Sequence, residues 1–234
     1  MMLEQDDSTG DHQPVPASGE KDARFESASP AEVEHFDEID LLFYEHAITV
    51  RHLIEGGFAK SGSKASRLIT SRYEKHLIDI VGKAHNIRTG KGYEYYYSSR
   101  HHKDFHHSVG VTNSLWGYIR HAKIKQASAD KNLRPNWEMV MGDVKSYGEY
   151  DSGNMRHKTI QERLRRYREI VNANVLIVTS KGPQRMEGLL HDARKIGLEN
   201  VSVTTLDLIV REPFGSIWRW PVDTELHKFE ESKL

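Results

Sequence analysis

The stretch that decides the fold is SKASRLITSRYEKHLIDIVGKAHNIRTGKGYEYYY, residues 63–97. Its first part repeats apolar residues three and four apart, which predicts an amphipathic helix with these residues on its buried face: Ala65, Leu68, Ile69, Tyr73 and Leu77. A short apolar run then leads into the glycine-rich and basic segment 88–92, and the tyrosine-rich residues 93–97 follow. Two short runs around such a segment predict a β-hairpin directly after the helix.

Two further helices are predicted before this stretch. The apolar pattern that starts at Phe36 predicts a first helix ending near His46. Thr49 is a good N-cap for a short second helix closed by Gly56 and Gly57, and Ser61 supplies the N-cap of the third. Three helices followed by a basic hairpin are typical of a winged helix-turn-helix. We therefore predict a winged-helix DNA-binding domain over residues 36–100.

The face of the third helix away from its core is basic and carries hydroxyl groups. A recognition helix presents such a face to phosphates and base edges, while a hairpin tip on glycine-permitted turns can approach the DNA backbone. The predicted DNA contacts are Lys64, Arg67, Ser71, Arg72, Lys75, Arg88 and Lys91. The alternative is that the helices and hairpin bind another protein.

The net charge is −1, but acidic and basic residues are concentrated in different segments of the chain. Residues 1–40 hold 12 acidic and 2 basic side chains, whereas residues 51–134 hold 16 basic and 6 acidic ones with eight histidines. Opposed charge of this kind favours a basic binding surface in the second segment. Residues 1–35 have no hydrophobic period, so we predict a disordered acidic tail that either solubilises the chain or competes with DNA for the basic face.

Composition excludes several classes of protein. The 234 residues include no cysteine, which excludes disulfides and thiolate metal sites and favours a reducing compartment. No apolar run approaches the roughly 20 residues that span a bilayer, and the acidic start differs from a secretory signal. We expect a cytoplasmic protein with no membrane partner.

Residues 101–225 alternate strand-like and helix-like segments, which predicts an α/β layer with some parallel pairing and an α+β chain overall. The predicted strands are 108–113, 137–144, 147–150, 174–179 and 201–205, and the predicted helices are 114–125, 158–170 and 183–196. Residues 226–234 are expected to form a C-terminal tail. The histidines at 101, 102, 106 and 107 are expected in a polar linker rather than a zinc site.

Glu149 and Asp151 are the candidate catalytic carboxylates. Two residues apart on a strand, they point to one face, and with Asn136 they form a candidate site for Mg²⁺ or Mn²⁺. Lys158 is the candidate cation that would stabilise developing charge. A restriction-endonuclease-like site has Pro-Asp followed by Glu-x-Lys, so Asn136 and Asp151 depart from that signature. The alternative is structural, with both carboxylates paired to arginines of the next helix, Arg163, Arg165 or Arg166.

The order of these features resembles the replication-relaxation family of plasmid and mobile-element proteins. The segments that carry the resemblance are the winged helix with Leu41-Leu42 through Leu77, residues 107–113, Arg134-Pro135-Asn136-Trp137, residues 148–153, residues 164–167, residues 175–179, Arg185 and residues 218–221. The resemblance implies a winged helix fused to a restriction-endonuclease-like α/β domain that acts on DNA in plasmid replication, its control or transfer. The family has Pro-Asp where this chain has Pro135-Asn136, which weakens an inherited nuclease role.

The leading hypothesis is a non-catalytic protein that binds double-stranded DNA. The first alternative is a nuclease that uses Mg²⁺ or Mn²⁺ at Glu149 and Asp151. The second is an interaction module for a replication or transfer protein, and a homodimer would suit a winged helix that binds paired half-sites.

Overall fold

The computed structural model describes residues 38–126, 133–170, 172–221, 225, 227 and 228. The predicted acidic tail lies outside these residues, and so does most of the predicted C-terminal tail. The helices are α1 (Glu38–Glu45), α2 (Val50–Glu55), α3 (Gly62–Glu74), α4 (Phe105–Trp116), α5 (His157–Leu164), α6 (Pro183–Lys195) and α7 (Leu206–Arg211). The strands are β1 (Asp79–His85), β2 (Tyr93–Ser98), β3 (Lys123–Gln126), β4 (Trp137–Met141), β5 (Val144–Asp151), β6 (Asn174–Thr179) and β7 (Val201–Thr205). Within this part of the chain no helix combines the length and apolar character needed to cross a membrane.

The N-terminal part folds as three helices and a hairpin, with the predicted caps in place. The Thr49 hydroxyl accepts a hydrogen bond from the His52 amide at the start of α2, and Ser61 caps α3 in the same way. Gly57 ends the turn after α2 with φ +83°, a conformation that favours glycine. Strands β1 and β2 pair antiparallel, and Ile48 forms a further bridge to β2.

A five-stranded mixed sheet forms the second part, in the order β3-β4-β5-β6-β7. Strands β3, β4 and β5 pair antiparallel, whereas β5, β6 and β7 pair parallel through α5 and α6. The predicted strands 174–179 and 201–205 are confirmed, and so are the predicted α/β character and parallel pairing.

One hydrophobic core joins the two parts. It contains Leu53 and Ile69 from the N-terminal helices together with Trp116 from α4 and Trp137 from the sheet. The indole nitrogen of Trp116 donates to the carbonyl of His52 across 2.8 Å. A second core lies between the other face of the sheet and the helices α5 and α6.

The predicted strand 108–113 is wrong, and the predicted helix 114–125 is helical only at residues 114–116. Residues 105–116 form α4 instead of a linker and a strand, while residues 123–126 form β3 instead of a helix end. The alternation around Gly110 imitates a strand, but the carboxylate of Asp104 caps the first turn and Val111 and Leu115 bury one helical face. Gly110 is needed because α4 crosses the sheet so closely that a Cβ atom there would lie 2.0 Å from the Tyr150 ring.

Candidate nucleic-acid interface

Helix α3 separates an apolar face from a basic one, as its sequence predicts. Ala65 and Ile69 are buried, whereas Lys64 and Arg67 are exposed on one flank. Ser71 lies between the two faces and is half-buried. The helix therefore presents two side-chain cations to solvent while its other side holds it against the core.

A groove of about 460 Å³ runs beside this flank. Its lining residues are Gly57, Phe58, Ala59, Lys60, Lys64, Arg67 and Leu68. Lys60 was not among the predicted contacts because it lies in the turn before α3, outside the helical pattern. The groove combines three cations with an apolar floor, which is a suitable surface for a sugar-phosphate backbone.

Arg72 is placed differently from its prediction. Its Nε lies 2.5 Å from a carboxylate oxygen of Asp40 on α1, and its side chain is only 12% exposed. On a helix, position 72 lies on the same side as the buried positions 65 and 69. Arg72 therefore ties α3 to α1 and does not belong to the candidate interface. Lys75 caps the C-terminal end of α3 and is exposed.

The tip of the hairpin carries Lys91 and Arg88, both exposed. Gly90 and Gly92 have positive φ angles and leave open space around them, so the tip is slim enough to approach a ligand closely. Arg88 is ion-paired with Glu55 on α2.

Glu55 belongs to a network that reaches the second part of the chain. It also accepts a hydrogen bond from Arg51 across 2.9 Å, and Arg51 in turn donates to the side-chain oxygen of Asn113 on α4 across 2.8 Å. The same guanidinium binds Glu94 on β2. The hairpin tip, α2 and α4 are therefore linked through one arginine.

Glu149, a predicted catalytic carboxylate, is 4% exposed and engaged by its neighbours. Its Oε1 accepts hydrogen bonds from Arg163 Nε across 3.0 Å and from the Tyr167 hydroxyl across 2.6 Å. Burial raises the pKa of Glu149, and the neighbouring Arg163 opposes that shift. This is the arginine pairing that the structural alternative predicted.

Asp151 points to the same side of the sheet and is engaged by a different helix. Arg185 on α6 donates to both carboxylate oxygens, across 2.9 and 3.1 Å, and Thr179 donates across 2.9 Å. Burial alone would raise the pKa of Asp151, but the hydrogen bonds from Arg185 and Thr179 hold it below its usual value. The cation beside Asp151 is thus Arg185, and Lys158 is exposed on α5.

Asn136 does not join these carboxylates. Its Oδ1 accepts from the backbone amide of Tyr150 across 2.7 Å, and its Nδ2 lies 3.1 Å from His107 on α4, which packs against the opposite face of the sheet. The predicted metal ligands Asn136, Glu149 and Asp151 therefore do not fit a shared Mg²⁺ or Mn²⁺ ion. In the described ranges no three His, Asp or Glu side chains are grouped as metal ligands would be.

Comparison with known proteins adds no relative. A scan against protein-family models, a search of curated proteins and a search of solved structures each returned no match. The resemblance to the replication-relaxation family therefore remains a prediction that depends on the residues quoted for it.

Proposed function

We propose that this protein binds double-stranded DNA sequence-specifically and without catalysis. The observation that carries the proposal is the exposed basic flank of α3, where Lys64 and Arg67 extend from a helix whose opposite side is held in the core. With Lys60 in the adjoining groove and Lys91 at the hairpin tip, the cations are spread over two elements that could contact one duplex.

The fold is consistent with the finer architecture that we propose. Three helices followed by an antiparallel hairpin suit a winged helix, with α3 as its recognition helix. The second part suits a restriction-endonuclease-like domain. Its elements follow in the order α4, the antiparallel strands β3 to β5, α5 and the parallel strand β6. In that domain Arg163 and Arg185 neutralise Glu149 and Asp151, which supports a structural role for both carboxylates.

The biological setting that we propose is replication, its control or transfer of a plasmid or other mobile element. This setting comes from the family resemblance alone. The α/β part would then serve as a rigid support or as the surface for a replication or transfer protein.

The test is a titration of duplex DNA with the full chain and with Lys64→Ala/Arg67→Ala. Because cations that neutralise phosphates release counterions, the double variant should bind less tightly. The slope of log K against log salt should become shallower by about 0.9 for each phosphate that the variant no longer neutralises. Fluorescence anisotropy over a series of salt concentrations measures both quantities.

A matched control is Lys158→Ala/Arg165→Ala, which removes two exposed cations from α5 and the turn after it. This control should bind as the parent does. Equal losses of affinity in the two double variants would indicate only general electrostatic attraction, and unchanged binding by the α3 variant would refute the proposed interface.

A further inference from the structure

An exposed aromatic surface lies beside the candidate duplex interface. Six large apolar side chains are more than about a third exposed in the described part of the chain, and five of them lie between residues 73 and 95, at the end of α3 and on the hairpin that follows it. We call these five the tyrosine surface: Tyr73, Leu77, Ile80, Tyr93 and Tyr95. Tyr93 and Tyr95 are 60% and 55% exposed, and exposed apolar patches of neighbouring residues often mark interaction sites.

The hairpin geometry explains why these rings share one face. Tyr93 and Tyr95 are two residues apart on β2, so they point the same way with a separation of about 7 Å along the strand. Tyr97 follows on this face, and burial together with the phenols of Tyr95 and Tyr73 raises its pKa, which places the end of α3 beside the same row. The rings therefore form a row that starts at α3 and ends near the hairpin tip.

The charges around the row are segregated. Lys83 pairs with Tyr95 and His85 with Tyr93 across the hairpin, so both basic side chains share the outer face. His85 stacks on Tyr93 with ring centres 4.2 Å apart, and the Lys83 ammonium lies 5.5 Å from the same ring centre. The carboxylate between the two tyrosines, Glu94, is on the inner face, where Arg51 binds it.

The acidic side chains near the surface lie at its helix end. Glu74 and Asp79 are both exposed there, whereas Lys83 and Lys91 lie toward the hairpin tip. A polyanion with planar groups, such as a nucleic-acid strand with its bases, would therefore bind near the hairpin tip. Its charges would face the lysines and its planar groups would lie over the tyrosine rings. Across α3 the tyrosine surface is separated from Lys64 by the exposed hydroxyl face of the helix.

We propose that the tyrosine surface binds unpaired nucleotides of single-stranded or locally opened DNA, with bases stacked on Tyr93 and Tyr95. Aromatic rings combined with cations are the elements that bind single strands irrespective of sequence, because every base has a stacking face. In a fully paired duplex those base faces are covered by neighbouring base pairs. The inference rests on the proposed function, and it adds that the protein holds an opened segment beside a paired one.

The experiment compares three fluorescent DNA probes with the full chain. They are a thymine-only single strand, a paired duplex, and the same duplex with a central run of mismatched thymines. The variants are Tyr93→Leu/Tyr95→Leu, which keeps apolar bulk without aromatic stacking, and Tyr93→Phe/Tyr95→Phe, which keeps stacking. Circular dichroism checks that both variants fold.

The leucine variant should bind the single strand and the mismatched duplex at least about 25-fold more weakly, since each of the two stacked bases contributes at least about a fivefold effect and the two effects multiply. Its affinity for the paired duplex should stay within about twofold of the parent. The phenylalanine variant should bind all three probes as the parent does. Photocrosslinking of iodinated uracil in the single strand should label Tyr93 or Tyr95.

Three results would overturn the proposal. The first is equal binding of the single strand by the leucine and phenylalanine variants. The second is an equal loss of affinity on paired and unpaired probes. The third is sedimentation evidence that the surface is the contact between two copies of the chain, abolished by the leucine variant. The Lys64→Ala/Arg67→Ala variant separates the two proposals, because it should weaken paired-duplex binding whatever the tyrosines do.

Discussion

Replacing Arg185 by Met should destabilise the protein by about 3 kcal/mol at pH 7. Asp151 is 2% exposed, and Arg185 is the cation that faces it. Removing one partner of a buried ion pair typically costs about 3–5 kcal/mol because the other charge stays buried. Asp151 keeps hydrogen bonds from Thr179 and from the Gly153 amide, so we expect the lower end of that range.

The pH dependence of this effect distinguishes charge burial from impaired packing. In the parent protein the folded-state pKa of Asp151 is below its ordinary value, so the pair stabilises the fold above that value and the effect fades as the pH falls. In Arg185→Met only the hydrogen bonds from Thr179 and Gly153 still oppose burial, so the folded-state pKa of Asp151 should rise relative to the parent. Protonation of Asp151 then removes the buried charge from the variant. The difference in the free energy of unfolding between parent and variant should therefore shrink by up to about 1.4 kcal/mol per pH unit as the pH falls below that raised pKa.

Urea unfolding followed by circular dichroism, with parent and variant compared at each pH, measures the deficit. The matched control is Arg211→Met, because Arg211 pairs with Asp207 across 2.8 Å while both side chains are more than half exposed. That control should be destabilised by less than about 0.5 kcal/mol. A deficit in Arg185→Met below about 1 kcal/mol, or one that does not change with pH, would refute the account of Asp151 as a buried, arginine-held charge.

Two further predictions concern stability. Burial lowers the pKa of His102 to about 4, so the unfolded chain takes up a proton that the folded chain does not, and stability should fall as the pH drops below about 6.5. His102→Gln should remove about 1 kcal/mol of the decrease between about pH 7 and 5, as measured by urea unfolding of the parent and the variant at each pH. Gly110→Ala should destabilise by about 3 kcal/mol, because the new Cβ would overlap Tyr150, whereas Gly62→Ala, which meets no atom within 4 Å, should stay within about 1 kcal/mol of the parent in thermal or urea unfolding. A well-folded Gly110→Ala protein of parental stability would show that α4 packs on the sheet less tightly than described.

Much of the fold could be predicted from local patterns in the sequence. The caps at Thr49 and Ser61 and the apolar run 175–178 were predictable because each depends on a few adjacent residues. The segment around Gly110 was not, because its alternating apolar residues suit either a strand or a short helix. The Asp104 cap favours the helix, and the close approach of Gly110 to Tyr150, far along the chain, could not be predicted from the segment itself.

The sequence likewise predicts some features of the candidate site and not others. The exposed flank with Lys64 and Arg67 follows from helical periodicity, so the sequence predicts it directly. The partner of Arg72 is Asp40, 32 residues earlier, and the partner of Asp151 is Arg185, 34 residues later. No local rule selects such pairs, because they form only after separate helices have packed.

The core shared by the two parts has a consequence for how this protein can be altered. The contact between Trp116 and the His52 carbonyl lies within that core, and Arg51 bonds to Asn113 beside it. Replacing the three N-terminal helices and the hairpin by those of another protein would therefore require the matching surface of α4 to be replaced with them. Along this contact the two parts can change only together, while the exposed flank of α3 can change alone.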